Sequence, residues 1–178
     1  MKGLIIYKGR YGATKQYAMW IGEQLQLSVA SADRFPPDQL INYDYFILGS
    51  SVYIGKLEIR NWVKKNLSLL QNKNIFLFQV AASPVTQLQK REEFNRASVP
   101  QDLLKKIKVY YLPGRMIMRN LSKWDRFMLK MGARLTKDPV EKKEMLTDFD
   151  HVKPGNIQPL VEAVRKFEVI QSSKMEMA

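Results

Sequence analysis

The feature that most constrains this chain is an apolar segment followed by a glycine-containing turn and an amphipathic helical pattern, all within the first 26 residues. Leu4-Ile5-Ile6 has the continuous apolar character of a buried parallel strand, and the turn after it runs from Tyr7 to Thr14. A strand, a turn and a helix in this order gather backbone N–H groups at the helix N-terminus, where the helix dipole also favours an anion. The turn therefore predicts a phosphate site.

The turn matches neither of two common phosphate-binding motifs. The sequence has no G-x-x-x-x-G-K-[ST], which argues against a P-loop NTPase, and no G-x-G-x-x-G, which weakens a dinucleotide interpretation. Gly9 and Gly12 would let the backbone approach an anion closely, and Thr14 would add a hydroxyl donor. Taken alone, the turn fits a glycine turn without a ligand equally well.

Two further apolar runs end in loops that are rich in small or hydroxyl-bearing residues. Residues 45–49 lead into the loop 50–56, and residues 74–80 lead into 81–84. In an open parallel sheet such loops lie together at the carboxyl edge, where ligands bind. The three loops therefore predict one shared site, with a mononucleotide as the simplest phosphate-bearing ligand.

Strand-like and helix-like segments alternate along the chain, which predicts a doubly wound α/β sheet. Strands are expected near 2–7, 28–31, 43–49, 74–81 and 108–112, and helices near 13–26, 57–70, 101–107 and 156–168. We expect a single domain over residues 1–170, followed by a flexible tail at 171–178.

The three loops, taken in order, resemble those of the flavodoxin family, and the resemblance covers about residues 1–170. Tyr-x-x-x-Tyr-Gly-x-Thr is similar to the family's FMN phosphate loop, residues 48–55 to its second flavin loop, and residues 78–84 to its third. The resemblance implies a five-stranded parallel sheet of order 2-1-3-4-5 with helices on both faces, and FMN as cofactor. The implied cofactor contacts are Lys8, Gly9, Arg10, Tyr11, Gly12, Ala13 and Thr14, then Ser50, Ser51, Val52, Tyr53, Ile54 and Gly55, and finally Ala81, Ala82, Ser83 and Pro84.

The phosphate loop departs from the family pattern at two positions. The family usually places Ser or Thr early in this loop, whereas this chain has Lys8 and Gly9 there and retains Thr14. Lys8 and Arg10 would supply positive charge in place of hydroxyl groups. If they point into solvent instead, the affinity for FMN is reduced or lost.

A second resemblance narrows the function. Residues 112–115 and 121–131 are similar to the insertion of the bacterial menaquinone-dependent protoporphyrinogen oxidase branch of this family, and the insertion would span about residues 114–137. This implies an FMN-dependent oxidoreductase whose flavin accepts a hydride equivalent from a porphyrinogen and passes electrons to a quinone. Arg115, Arg119 and Lys123 would then contact the substrate propionates. No catalytic side chain is expected, since the flavin carries the chemistry.

Two other functions stay open. One is a basic flavodoxin-like electron carrier without a dedicated substrate, and the other is a flavin-free interaction module that keeps the fold. Carriers of this family tend to be acidic, whereas this chain has a formal net charge of +12, which counts against the carrier.

The positive charge is concentrated in one segment. Residues 104–137 contain ten Lys or Arg and a single acid, Asp125, so the segment carries +9 of the net charge. Within it, residues 121–135 form a helical pattern with an apolar arc opposite a basic arc. This pattern fits a helix packed on the domain with a solvated basic face, or an interfacial helix or substrate cover attracted to an anionic membrane. Nucleic acid is not expected, because no recognised motif accompanies the charge.

Composition excludes several kinds of chemistry. With no cysteine, the chain has no disulfides, no thiol catalysis and no cysteine-held cluster, and the presence of a single histidine, His151, argues against a metal site. No apolar run is long enough to span a bilayer, and a strand follows Met1-Lys2 directly, leaving no room for a signal peptide. We therefore expect a cytoplasmic protein, with peripheral attachment to the inner face of the membrane as the variant that the basic segment favours.

Overall fold

The structure is a computed structural model that describes residues 1–82 and 87–176. Its main sheet contains strands β1 (Gly3–Lys8), β2 (Ser28–Ser31), β3 (Tyr45–Tyr53), β4 (Lys56–Leu57), β5 (Asn74–Ala81) and β6 (Lys108–Pro113). The order is β2-β1-β3-β5-β6 with all neighbours parallel, and the short β4 pairs antiparallel with the end of β3. When the parallel strands alone are numbered, this is the order 2-1-3-4-5, so the predicted doubly wound fold is confirmed.

The register of the central strands explains why they read as continuous apolar runs. Ile5 of β1 aligns with Ile47 of β3, which aligns with Phe76 of β5, and all three face one hydrophobic core. The next row, Leu4, Phe46 and Ile75, faces a second core on the other side of the sheet. Because the central strands are buried on both faces, alternation between apolar and polar residues is absent there.

Helices cover both faces of this sheet. On the first face lie α1 (Ala13–Leu25) and the C-terminal helix, and the second face is covered by α2 (Arg60–Lys65), α3 (Leu67–Leu70) and α5 (Gln101–Leu104). Between α3 and α5 along the chain, α4 (Leu88–Arg96) follows β5. After β6 come β7 (Arg115–Met116), α6 (Lys123–Leu135), α7 (Pro139–Met145), β8 (Phe149–Asp150) and the C-terminal helix α8 (Gln158–Glu176).

Several predicted boundaries were wrong for identifiable reasons. The helix expected at 57–70 is divided at Asn66, whose side-chain amide donates to the Trp62 carbonyl at 2.8 Å. Strand β3 continues to Tyr53 because its last residues pair with β4. Helix α4 was not predicted, since the side chains it buries are the polar Arg91 and Asn95 rather than an apolar stripe. Residues 171–176, expected to be a flexible tail, continue helix α8.

The inserted segment stands beside the carboxyl edge of the sheet. Strand β7 pairs antiparallel with β8, and α6 packs against α7 between them. Helix α6 begins after Ser122, whose hydroxyl accepts a hydrogen bond from the Asp125 backbone N–H at 3.0 Å. This N-cap fixes the start of the helix. In the part of the chain that the structure describes, we find no helix with the length and apolar character to cross a membrane.

Candidate functional site

The three loops predicted to share a site line one cavity at the carboxyl edge of the sheet. Its volume is about 350 Å³, within the range of small-molecule sites. The first loop contributes Arg10, Tyr11, Ala13 and Thr14, the second Ser51, Val52, Tyr53 and Ile54, and the third Ala81 and Ala82. The wall opposite the sheet comes from the inserted segment, through Leu121, Asp125, Met128, Leu129 and Met145.

The first loop leaves a buried hydroxyl without a partner. Gly12 adopts φ +87°, a left-handed conformation that favours glycine, and the next residue starts α1 without a side-chain cap. Thr14, in the first turn of α1, is 1% exposed, and its Oγ1 has no hydrogen-bond partner among the described residues. A Cβ on Gly9 would lie 2.6 Å from that oxygen, so only glycine fits beneath it. A helix N-terminus with an orphaned hydroxyl on a cavity fits a phosphate group.

The two cations expected to replace the missing hydroxyl groups are placed differently. Lys8 does not line the cavity, since it lies at the end of β1 and its Nζ is 2.6 Å from Asp33 Oδ1. Arg10 does line it, but its Nε donates to Glu58 Oε1 at 3.2 Å and its guanidinium stacks 3.9 Å from the centre of the Tyr53 ring. Of the two alternatives for Lys8, the structure therefore favours the one in which it does not supply charge to the phosphate.

The second loop is largely a β-hairpin. Ser50 through Tyr53 belong to β3, and Ile54 (φ 45°) and Gly55 (φ 69°) form the left-handed turn into β4. Ser50 is fully buried and its hydroxyl accepts from the Ile59 N–H at 3.2 Å, so it supports the hairpin and does not reach the cavity. Ser51 lines the cavity and donates to Glu58 Oε2 at 2.7 Å.

A buried arginine, which sequence reasoning missed, lies beneath the third loop. Ala81 and Ala82 line the cavity, while the predicted contacts Ser83 and Pro84 lie outside the described residues. Arg91 of α4 is fully buried, and its guanidinium donates to the carbonyls of Ala81 and Leu112 at 3.2 Å. Burial lowers the pKa of Arg91 from its ordinary value. A charged residue in a polar helix gives no apolar pattern, so no sequence pattern indicated this role.

Asp125 joins the inserted helix to the first two loops. Its carboxylate accepts a hydrogen bond from the Tyr53 hydroxyl at 2.6 Å and another from the Tyr11 hydroxyl, and Arg10 Nη1 lies 3.8 Å away. Burial alone would raise the pKa of Asp125, but the hydrogen bonds from Tyr11, Tyr53 and Ser122 and the charge of Arg10 hold that pKa below its ordinary value. The same contact raises the pKa of Tyr53. Sequence reasoning did not single out Asp125 as a site residue, although it is the only acid in the basic segment.

The three cations expected to meet substrate carboxylates are not brought together. Arg115 lines the cavity, where it donates to the Gln16 side chain and lies 3.4 Å from Asp150. Arg119 and Lys123 are exposed and line no part of this cavity. Of these three cations, Arg115 is therefore the one whose position in the cavity allows it to contact an anion.

Helix α6 has three faces rather than the two expected. At about 100° per residue, Asp125, Leu129, Gly132 and Ala133 share the inward face, and Lys123, Arg126, Lys130 and Arg134 form the basic face. Most of the large apolar side chains point outward: Leu135 is 79% exposed and Trp124 61%, with Phe127 and Met131 also exposed, whereas the partly exposed Met128 lines the cavity. Packing of the whole apolar arc on the domain is thus ruled out by the structure.

The described residues contain no group of His, Asp and Glu side chains that could hold a metal ion. The polar groups at the cavity include two hydroxyl-bearing loops, a helix N-terminus, the side chains of Arg10 and Arg115, and one carboxylate held by tyrosines. This donor set suits an organic ligand with a phosphate at one end, lying across apolar side chains at the other.

The sequence profile described as "Flavodoxin domain" matches residues 4–143, so the chain belongs to the flavodoxin domain family. The protoporphyrinogen IX dehydrogenase (quinone) of Escherichia coli strain K12 is 23% identical over 164 residues, which cover 85% of this chain and 91% of that protein. An uncharacterized protein of Methanocaldococcus jannaschii is 32% identical over 85 residues, 47% of this chain and 57% of that protein.

Solved structures with a similar fold include oxidised flavodoxin 2 from Bacillus cereus and a flavoprotein in complex with FMN from Lactobacillus acidophilus. The first is 18% identical with a TM-score of 0.43, covering 82% of this chain and 92% of that chain. The second is 19% identical with a TM-score of 0.41, covering 63% of this chain and 91% of that chain.

Proposed function

We propose that this protein binds FMN in the cavity at the carboxyl edge of the sheet and acts as an FMN-dependent oxidoreductase. The observation that carries the proposal is the buried, unpartnered Thr14 hydroxyl at the N-terminus of α1, on the floor of a cavity lined by all three loops. A buried polar atom without a partner calls for an explanation, and a ligand phosphate oxygen supplies one.

The phosphate end of FMN would be held mainly by backbone and hydroxyl donors. The turn from Arg10 to Thr14 offers the N–H groups that begin α1, together with the Thr14 hydroxyl. Lys8 is engaged by Asp33, and Arg10 contacts Glu58 and Asp125. The helix N-terminus, and not a cation in place of the missing hydroxyl groups, is therefore the main determinant of phosphate binding.

The ring end of FMN would lie between the second and third loops. Ser51 to Gly55 would flank it on one side and Ala81 to Pro84 on the other, with Tyr53 as the aromatic partner. Because Arg10 covers one face of the Tyr53 ring, an isoalloxazine would stack on the opposite face. Bound FMN would supply the redox chemistry, while the protein side chains bind it, orient it and exclude water.

The inserted segment supports an apolar substrate rather than a simple electron-carrier role. Met116, Leu121, Met128, Leu129 and Met145 form an apolar wall beside the proposed flavin position, and Arg115 lies at its edge. Such a wall suits a flat hydrophobic ring system, and the arginine suits its carboxylates. Together with the similarity to a protoporphyrinogen IX dehydrogenase, this favours a porphyrinogen as electron donor and a quinone as acceptor.

We expect the protein to be cytoplasmic. The outward face of α6 supports peripheral contact of this protein with an anionic membrane. Its exposed Trp124, Phe127 and Leu135 form an apolar stripe directly next to the basic face. An interfacial helix inserts such a stripe between lipid headgroups while its cations meet lipid phosphates. A helix anchored to the domain through Asp125 and Ala133 can present both faces without leaving the domain.

The test is whether the purified protein is yellow and keeps a flavin spectrum through dialysis, and whether apoprotein takes up FMN again. Thr14→Ala should lower FMN affinity about tenfold, because a hydrogen bond to a charged acceptor is lost. Thr147→Ala, which removes a hydroxyl that donates to the Lys143 carbonyl and does not line the cavity, is the control. A colourless protein that takes up no FMN would contradict the proposal and would favour the alternative function, a flavin-free interaction module. Turnover of protoporphyrinogen with a quinone separates the enzyme from a carrier.

A further inference from the structure

We propose that Asp125 is a positioning residue that docks helix α6 onto the first two cavity loops and thereby sets the rate at which the cofactor exchanges with solvent. The inference rests on the proposed function, since the exchanging molecule is FMN. It adds a role for a residue of the insertion that lies outside the three flavin loops.

The contacts of Asp125 converge from separate parts of the chain. Tyr11 comes from the first loop and Tyr53 from the second, and each hydroxyl donates to a different oxygen of the same carboxylate. The Ser122 backbone N–H also donates to the Tyr11 hydroxyl at 3.4 Å, so the start of α6 is attached twice. Asp125 is only 9% exposed. A nearly buried carboxylate with two hydroxyl donors is a strong, geometrically defined contact.

The rest of α6 offers little to replace this contact. The inward face holds Leu129, Gly132 and Ala133, which are small or half-buried, whereas Trp124, Phe127 and Leu135 point outward. Burial of apolar area, which normally fixes a helix on its domain, is therefore weak here. The Asp125 contact then becomes the main attachment of the N-terminal half of the helix.

Docking of α6 controls one side of the cavity. Leu121, Met128 and Leu129 form the wall opposite the sheet loops, so movement of α6 away from the loops would open that side. The phosphate-binding turn belongs to α1 and would stay in place. Asp125 should therefore affect how fast FMN enters and leaves more strongly than how tightly its phosphate is held.

The test compares Asp125→Asn with wild type in the full chain. Asparagine replaces the charged carboxylate with a neutral amide, so one tyrosine hydroxyl must turn round to accept from the amide N–H, and both hydrogen bonds lose the assistance of the charge. The helix cap is kept because it uses the backbone N–H. Amide hydrogen exchange of residues 123–135 in apoprotein and the rate of FMN release into an apoflavoprotein trap should both rise about tenfold. The double variant Tyr11→Phe/Tyr53→Phe removes the same contacts from the other side and should reproduce both changes.

Asp102→Asn, an exposed charge-matched change on α5, is the control and should leave both rates unchanged. Asp125→Asn added to the double tyrosine variant should cause no further increase, because the contacts are already gone. Unchanged exchange in α6, or faster α6 exchange with unchanged FMN release, would overturn the inference. Wild type that takes up no FMN would refute the proposed function instead, and the amide exchange would still decide whether Asp125 docks the helix.

Discussion

The two sides of the cavity, the floor on the sheet and the wall on helix α6, differ in where their apolar side chains lie. The floor is formed by β1, β3 and β5, whose central residues are continuous apolar runs that are buried on both faces of the sheet. The wall is α6, whose largest apolar side chains, Trp124, Phe127 and Leu135, face outward and whose attachment is a carboxylate between two tyrosines. Apolar residues are thus buried in the floor but largely exposed in the wall. A set of apolar residues therefore does not by itself show whether their side chains pack in a core or lie on an exposed surface.

The sharpest test of this contrast is the stability effect of two apolar truncations. Ile47→Ala in the floor should cost about 3 kcal/mol of unfolding free energy, because it leaves a cavity in a fully buried row. Phe127→Ala in the wall removes a larger side chain but should cost less than about 0.5 kcal/mol, because that ring is half exposed. Urea unfolding measures both. Similar losses for the two variants would mean that the apolar face of α6 is buried after all.

The outward face of the wall should bind anionic lipid. Wild type should sediment with anionic vesicles at low salt, and the quadruple variant Lys123/Arg126/Lys130/Arg134→Gln should bind about a hundredfold more weakly. A matched variant, Lys64/Lys65/Lys105/Lys106→Gln, removes four cations elsewhere and should bind like wild type. If wild type ignores anionic vesicles, while the quadruple variant keeps its flavin and turnover, the basic face is a solvated surface only.

The floor also depends on a buried polar side chain, Arg91, which donates to backbone carbonyls beneath the third loop. Arg91→Met should destabilise the protein by about 2 kcal/mol, since it leaves the buried carbonyls of Ala81 and Leu112 without these donors. Arg96→Met, one turn further along α4 and exposed, should be close to neutral. Thermal or urea unfolding gives both values. A neutral Arg91→Met would show that the third loop is held by other contacts.

A smaller effect is expected where floor and wall meet at Tyr53. Tyr53→Leu removes the ring and should weaken FMN binding about threefold, whereas Tyr53→Phe keeps the ring and should bind FMN with nearly wild-type affinity. Fluorescence titration of apoprotein with FMN distinguishes the two. Equal affinity for wild type and Tyr53→Leu would leave this tyrosine as a contact of Asp125 alone.

The contrast also explains how much the sequence could predict. The α/β sheet and the convergence of three loops were predicted from apolar runs and their small, polar ends, because burial on both faces leaves a clear pattern. The strand order was implied only by the resemblance to the flavodoxin family. The position of the Lys8 side chain could not be predicted, because the sequence does not show that Asp33, which follows another strand, forms an ion pair with it. The roles of Arg91 and Asp125 were not predicted because they depend on partners 10 to 114 residues away, which no local pattern encodes.

The claim that the floor binds a phosphate-bearing flavin is tested most directly by calorimetric titration of apoprotein with FMN and with riboflavin, which lacks the phosphate. FMN should bind at least about a hundredfold more tightly than riboflavin, because in the proposed site the α1 N-terminus and the Thr14 hydroxyl would contact only the phosphate. In Thr14→Ala the FMN affinity should fall while riboflavin binding stays the same. Equal affinities for the two flavins, or no binding of either, would contradict the account.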